Sequence, residues 1–115
     1  GDLRQRFDAI ATSGGHALFG ADSDGQLAGV CHAFVRPALE KPPEVVVQSL
    51  VVDTAMRKSG IGKALMEKVE EWAARQGFAS VSLYSRVERK DAHAFYAGLG
   101  YELVATSGLL RKMLG

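Results

Sequence analysis

Arg57-Lys58-Ser59-Gly60-Ile61-Gly62-Lys63-Ala64, "RKSGIGKA", stands immediately before the strongest helical periodicity in the chain. Ile61, Leu65, Val69 and Trp72, with Met66 and Ala73 beside them, trace one face of a helix from about Gly60 to Gln76, closed by Gly77. A helix N-terminus carries about half a positive charge and four unpaired N–H groups, so acids are favoured there. Arg57, Lys58 and Lys63 have the opposite sign. Gly60 and Gly62 fall in or beside the first turn, where glycine costs ~1 kcal/mol relative to alanine. Local rules broken together at one place point to function. A bound anion resolves both conflicts: glycines let N–H groups approach it, the dipole attracts it, and flanking cations neutralise it. A solvated basic turn is the plainer reading of an isolated Gly-x-Gly. The cations, the following helix and the strand that precedes them together favour the anion.

That preceding strand is "EVVVQSLVVD" (Glu44–Asp53), dense in β-branched residues and apolar on both faces at its end, as expected of a central strand. After the helix, "FASVSLYS" (Phe78–Ser85) reads as the next strand, and strand-helix-strand implies a parallel pair. Upstream, "HALFGA" and "QLAGVCHAFVR" (Gln26–Arg36) flank the turn Asp22-Ser23-Asp24-Gly25 and form an antiparallel hairpin. Glu40-Lys41-Pro42-Pro43 marks a loop within the domain. Leu3, Phe7 and Ile10 recur at helical spacing before Gly14-Gly15. Downstream, Ala92, Phe95, Tyr96 and Leu99 give a second amphipathic helix ended by Gly100, and "YELVAT" and "GLLRKML" are predicted to close the chain as a hairpin through Thr106-Ser107-Gly108.

At 115 residues, 47% hydrophobic and 23% charged, the chain is expected to form one globular domain over 1–115, with a core that needs neither disulfide nor metal. Cys31 is the only cysteine and lies in an apolar run, which predicts a buried thiol rather than a nucleophile. The three histidines and this cysteine show no ligand spacing, so no metal is predicted. A net charge of +1 gives no global reason to expect nucleic acid. The start "GDLRQRFDAI" does not read as a signal peptide, and no apolar run approaches the ~20 residues of a membrane span. A cytoplasmic setting is the expectation.

Two anion-binding motifs fail on this sequence. The P-loop needs a glycine where Arg57 stands and a Ser or Thr where Ala64 stands. The dinucleotide fingerprint needs a third glycine where Leu65 stands and an acid on the second strand, which offers Ser80, Ser82 and Tyr84. What remains is Arg-x-x-Gly-x-Gly after "LVVD", at Arg57, Gly60 and Gly62, which resembles the signature of the GNAT superfamily of N-acetyltransferases. "DAHAFYAGLGYE" (Asp91–Glu102) resembles the family's second motif, and "SGLLRKML" resembles a common family C-terminus. The resemblance covers roughly the last two-thirds of the chain, from Glu44 on. It implies an α/β (α+β) fold with a mixed, mostly antiparallel central sheet, a splayed parallel strand pair and flanking helices. It also implies that the family's first strand is missing and the start shortened.

The resemblance further implies transfer of an acetyl group from acetyl-CoA to an amine of a small molecule or protein. Arg57, Lys58, Ser59, Gly60, Ile61, Gly62 and Lys63 would hold the cofactor's pyrophosphate, mostly through backbone N–H groups. Leu50, Val51 and Val52 would offer backbone groups to the pantetheine arm, which mimics an added strand. Tyr96 matches the family tyrosine that protonates the leaving thiolate and touches the cofactor; its plainer role is a core tyrosine with a satisfied hydroxyl. His93 reads as a surface or CoA-edge residue. Many members place a glutamate base where this chain has Gln48, which cannot act as one and is left as a substrate contact. Water, Glu44 or His32 would then take the amine proton. The shortened start implies an open acceptor side or one completed by a second copy in a homodimer. The other reading is a non-catalytic acyl-CoA-binding module that keeps the cofactor site.

Overall fold

The computed structural model describes residues 15–23, 25–37, 39, 42–53, 60–85 and 88–115. The chain divides into two compact units, Gly1–Tyr84 and Ser85–Gly115. The predicted helix around Leu3, Phe7 and Ile10 lies outside the described residues, as do Arg57, Lys58 and Ser59. No helix among the described residues is long and apolar enough to cross a membrane.

The first unit is a four-stranded sheet in the order β1 (His16–Ser23), β2 (Gln26–Arg36), β3 (Glu44–Val52), β4 (Val81–Leu83). β1 and β3 pair with β2 antiparallel, while β4 joins β3 in parallel. The connection between the parallel strands is helix α1 (Ile61–Arg75), as such a crossover requires. The β1–β2 hairpin closes through Gly25 at φ +78, a left-handed conformation that glycine adopts without a Cβ penalty.

α1 covers one face of this sheet. Its buried residues Leu65, Met66, Val69 and Ala73 fall on one stripe, and the buried strand residues include Cys31, Ala33, Val45 and Val47. Trp72 of α1 packs edge-on against Phe19 of β1, with ring centroids 6.4 Å apart. The approach is closest at Gly29, where a Cβ would meet Ile61 Cγ2 at 3.0 Å, Leu65 Cδ1 at 3.2 Å and the Val51 carbonyl oxygen at 3.2 Å. Directly opposed strand residues share a face, so the rows Ala21–Gly29–Val52 and Phe19–Cys31–Leu50 lie toward α1. The alternate rows, Leu18–His32–Ser49 and His16–Phe34–Val46, lie on the other face.

α1 ends in a Schellman motif: Gly77 has φ +87, its N–H donates to the Ala74 carbonyl at 3.0 Å, and the Phe78 N–H donates to the Ala73 carbonyl at 3.0 Å. This use of Phe78 is one reason the predicted strand Phe78–Ser85 shortens to Val81–Leu83. Its other end is lost where β3 turns away.

In the second unit, α2 (Lys90–Gly98) ends in the same motif, with Gly100 at φ +97 and the Tyr101 N–H donating to the Tyr96 carbonyl at 3.0 Å. The rings of Tyr96 and Tyr101 meet at 5.9 Å, the apolar contact that often accompanies this cap. α2 buries no residue fully, and Phe95, predicted for an apolar face, stays exposed. The hairpin predicted over "YELVAT" and "GLLRKML" is not formed. Residues 101–115 contain no strand, turn or bend, and Gly108 does not take the left-handed conformation that a tight reversal would use.

Candidate functional site

The parallel β3–β4 pair is short by construction. Its ladder runs Val45–Val81, Val46–Ser82, Val47–Leu83 and stops. At that point the β2–β3 register jumps from Ala33–Val47 to His32–Ser49, so Gln48 is an extra residue with no partner on β2. A bulge bends its strand and strengthens the local twist. Beyond it, Ser49–Val52 continue to pair with β2 but have no β4 partner among the described residues. The two parallel strands therefore splay at Gln48. The β3 backbone at Leu50, Val51 and Val52 forms an edge able to take an extended ligand by strand-like hydrogen bonding. Gln48 and Val51 are exposed there.

β3 leads toward the start of α1. The Asp53 N–H donates to the Ala28 carbonyl at 2.7 Å, ending the ladder. Gly60 then caps the helix at φ +89, ψ 1, with open space where a Cβ would stand. The first intrahelical bond is Ala64 N–H to the Gly60 carbonyl at 3.0 Å. The N–H groups of Ile61, Gly62 and Lys63 precede it, with no side-chain cap and no acid in the first turn. Lys63 Nζ lies 4.0 Å from Glu67, one turn on, with both side chains mostly exposed. Such a pair is weak and leaves the ammonium free to turn to another anion. Gly60, Ile61, Gly62 and Lys63 thus form a helix start whose donors and dipole suit a phosphate group.

The sheet face away from α1 carries two polar clusters. His16 Nδ1 and His32 Nε2 are hydrogen-bonded at 2.8 Å, and their rings stack loosely at 5.0 Å beside Phe34. Burial lowers the pKa of His32 from its ordinary value, and the nearby charge of His16 lowers it further. His32 is the direct cross-strand neighbour of Ser49, so it stands beside the bulge. Farther along the same face, Arg36 donates through Nη2 to Glu44 Oε1 and also to the Tyr84 hydroxyl at 2.8 Å. Glu44 is therefore occupied by a guanidinium. It also lies four residues before Gln48, roughly 13 Å along an extended strand. Of the sequence-predicted proton acceptors, the structure brings His32 to the splay and leaves Glu44 at the far end of β3.

Tyr96 and His93 lie on α2, in the second unit. The Tyr96 ring is held edge-on between Phe95 at 5.0 Å and Tyr101 at 5.9 Å. Among the described residues no three His, Cys, Asp or Glu side chains are grouped as metal ligands. Cys31 is fully buried, and burial pushes its thiol up to about 12. Sequence reasoning missed His16, Arg36 and the bulge. His16 and His32 are sixteen residues apart and meet only through the β1–β2 register.

The profile of the Acetyltransferase (GNAT) family matches residues 2–101. A relative from Bacillus subtilis (strain 168), "Uncharacterized N-acetyltransferase YhdJ", is 33% identical over 109 residues, covering 94% of this chain and 75% of that protein. "N-alpha-acetyltransferase 80" of Mus musculus is 36% identical over 74 residues, but those cover 64% of this chain and only 22% of that protein. Among solved structures, an aminoglycoside N-acetyltransferase, AAC(6')-Iy in complex with CoA, superposes with a TM-score of 0.85 at 22% identity, covering 98% of this chain and 90% of that one. By a profile match spanning most of its length and a relative of this similarity, the chain belongs to the Acetyltransferase (GNAT) family.

Proposed function

We propose that this chain transfers an acetyl group from acetyl-CoA to an amine of a small molecule or protein, with no resident metal. The observation that carries this reading is the coincidence of the Gln48 bulge, the end of the β3–β4 ladder and an uncapped, glycine-entered start to α1. The splay offers backbone groups to an extended pantetheine arm, and the helix start offers N–H donors to a pyrophosphate. In this reading Leu50, Val51 and Val52 bind the arm. Gly60, Ile61, Gly62 and Lys63 bind the pyrophosphate, joined by Arg57, Lys58 and Ser59 from outside the described residues. Bound there, acetyl-CoA supplies an activated thioester.

The chain's own residues then handle protons. An amine must be neutral to attack, and its C–N bond forms as the thioester C–S bond breaks. His32, kept neutral by burial and by His16, accepts the amine proton directly or through a water beside Ser49. Gln48 contacts the acceptor without titrating. The Tyr96 hydroxyl, carried over from the family motif, gives its proton to the departing thiolate. The relatives' names cover acceptors as different as N-terminal amines and aminoglycosides, so the acceptor class is an outcome of assay. A cytoplasmic setting accords with the single buried thiol.

Thermal shift with acetyl-CoA, CoA and ATP tests the donor site. Stabilisation by the first two and none by ATP is expected; stabilisation by ATP alone would sink the reading. Thiol release with a panel of amines tests turnover, and Tyr96→Phe should slow release by about 10–100-fold with little change in CoA affinity. One observation favours a second reading, an acyl-CoA-binding module: the usual base position is Gln48 and Glu44 is held by Arg36. CoA binding without thiol release from any acceptor would select it.

A further inference from the structure

We propose that His16 carries the acceptor's proton from His32 out to water, so that the two histidines form a relay across the β1–β2 ladder. The inference rests on the acetyl-transfer reading, in which His32 takes that proton, and adds the residue that disposes of it. His16 acts through His32, as a positioning residue that also passes the proton on.

Geometry supports the relay first. His16 Nδ1 and His32 Nε2 lie 2.8 Å apart, and the 5.0 Å between ring centroids is close to that distance plus the two ring radii. The bonded nitrogens therefore face one another along the line of centres, joined by one N–H···N bond. His32 Nδ1 is left at one end and His16 Nε2 at the other, neither with a protein partner among the described residues. The sheet holds this arrangement: His32 pairs with Leu18 and His16 with Phe34, whose ring stands 5.9 Å from His16 and 6.3 Å from His32.

Exposure then sets the direction. His32 is half-buried beside Ser49, whereas His16 is exposed on β1, at one end of the described sheet. Charge costs more on the buried ring than on the wet one, so a proton delivered to the pair settles outward. The lowered pKa of His32, caused by burial and then by the charge of His16, has the same sense. On β3 the neighbour is the uncharged Ser49, and Arg36, Glu44 and Tyr84 are bonded together farther along the face.

His32 begins as the Nε2–H tautomer, donating to His16 Nδ1, which leaves its own Nδ1 lone pair for the amine. As the C–N bond forms, the amine proton moves to His32 Nδ1. The Nε2 proton of His32 moves to His16 Nδ1, and the Nε2 proton of His16 passes to water. Two neutral rings remain, each protonated on Nδ1. Loss of the His32 Nδ1 proton to water at the splay, return of the shared proton to His32 Nε2 and uptake from water at His16 Nε2 restore the first tautomers. The opposite arrangement, with His16 Nδ1 donating to His32 Nε2, leaves neutral His32 without a lone pair and so without a role as a base.

The test uses the 1–115 chain. His16→Gln keeps an oxygen that accepts from His32 Nε2 but passes no proton on, and His16→Ala removes both functions. Because His16 is exposed, both variants should keep the circular dichroism of the unsubstituted chain. Thiol release in dilute buffer should fall about 10-fold in each, with the KM for acetyl-CoA unchanged. Free imidazole should restore most of the His16→Ala rate, and pyrazole, of the same size but a far weaker base, should not. With the charge of His16 gone, the pKa of His32 rises, so the acid limb of the His16→Ala rate profile should move to higher pH. Ring nitrogen-15 shifts of the unsubstituted chain above pH 6.5 need no turnover and should show His32 protonated on Nε2 and His16 bare on Nδ1. Unchanged thiol release in both variants overturns the relay. So does a loss that imidazole fails to repair or that pyrazole repairs as well, and so does a spectrum with His32 protonated on Nδ1. The underlying reading fails differently: no thiol release from any amine by the unsubstituted chain removes the reaction and the relay together.

Discussion

Two side chains on β2, adjacent in sequence, point to opposite faces and divide the chemistry between them. Cys31 faces α1, fully buried, its thiol pushed up to about 12. At neutral pH it holds its proton and offers no thiolate, so it is packing and not chemistry. It should therefore resist a thiol reagent in the native chain and react at once in denaturant; reaction at a free-thiol rate without unfolding would contradict this burial. His32 faces the opposite side with its pKa lowered, by burial first and by His16 second. A depressed pKa favours the neutral ring in the folded state. Its contribution to stability is full above the ordinary value of 6.5 and is lost as pH falls through the lowered value. The groups facing it across the sheet are His16 on β1 and the uncharged Ser49 on β3, with Arg36 and Glu44 farther along. Stability measured by denaturant should thus decline from about pH 6.5 downward, and His32→Gln should flatten part of that decline. If His32 is the proton acceptor, the same substitution removes the acid limb of the rate profile. An unchanged limb would assign the proton to water.

Among elements, the start of α1 shows two glycines required for different reasons. Gly60 is required by conformation: its φ of +89 disfavours any side chain although space is open. Gly60→Ala should lower stability by about 1–2 kcal/mol through backbone strain alone. Gly29 is required by space, since a Cβ would press on Ile61, Leu65 and the Val51 carbonyl. Gly29→Ala should cost about 1–3 kcal/mol as overpacking. Because it displaces Ile61 and crowds β3 at Val51, it should also weaken CoA binding, the signal that separates it from a remote core defect. Calorimetry on both variants decides this, and unchanged CoA affinity in Gly29→Ala would separate helix seating from the donor site. The glycine stops, the central strand and the strand-helix-strand unit were legible in the sequence because each rests on local periodicity and on backbone conformations that only glycine adopts readily. The bulge at Gln48 and the His16–His32 pair were not, since both exist only in the register between strands, which no single strand encodes. The closing hairpin predicted over residues 101–115 does not form: apolar residues in two short runs suggest strands but do not supply the reversal between them, and Gly108 lies outside the left-handed region.

At the scale of the molecule, buried apolar residues are unevenly shared. Every fully buried hydrophobic side chain among the described residues lies between Ala28 and Ala73, in the first unit. The described residues of the second unit keep none, and α2 has only nine residues, short of the length at which a helix holds alone in water. Local stability follows buried contact, so the two units should open with different free energies. Native-state hydrogen exchange should find the amides of Cys31, Val46 and Leu65 opening only with global unfolding. Those of Ala92–Ala97 should open locally and at least tenfold faster, a difference of about 1.4 kcal/mol. The consequence is functional, because α2 carries Tyr96. If that hydroxyl works on bound acetyl-CoA, ligand binding must order α2, and its amides should slow on addition of CoA in step with those of Ile61–Lys63. Protection gained at the helix start but not along α2 would keep the pyrophosphate cradle and remove Tyr96 from the chemistry. Equal exchange in both units without ligand would show that α2 draws its stability from contacts other than buried apolar side chains.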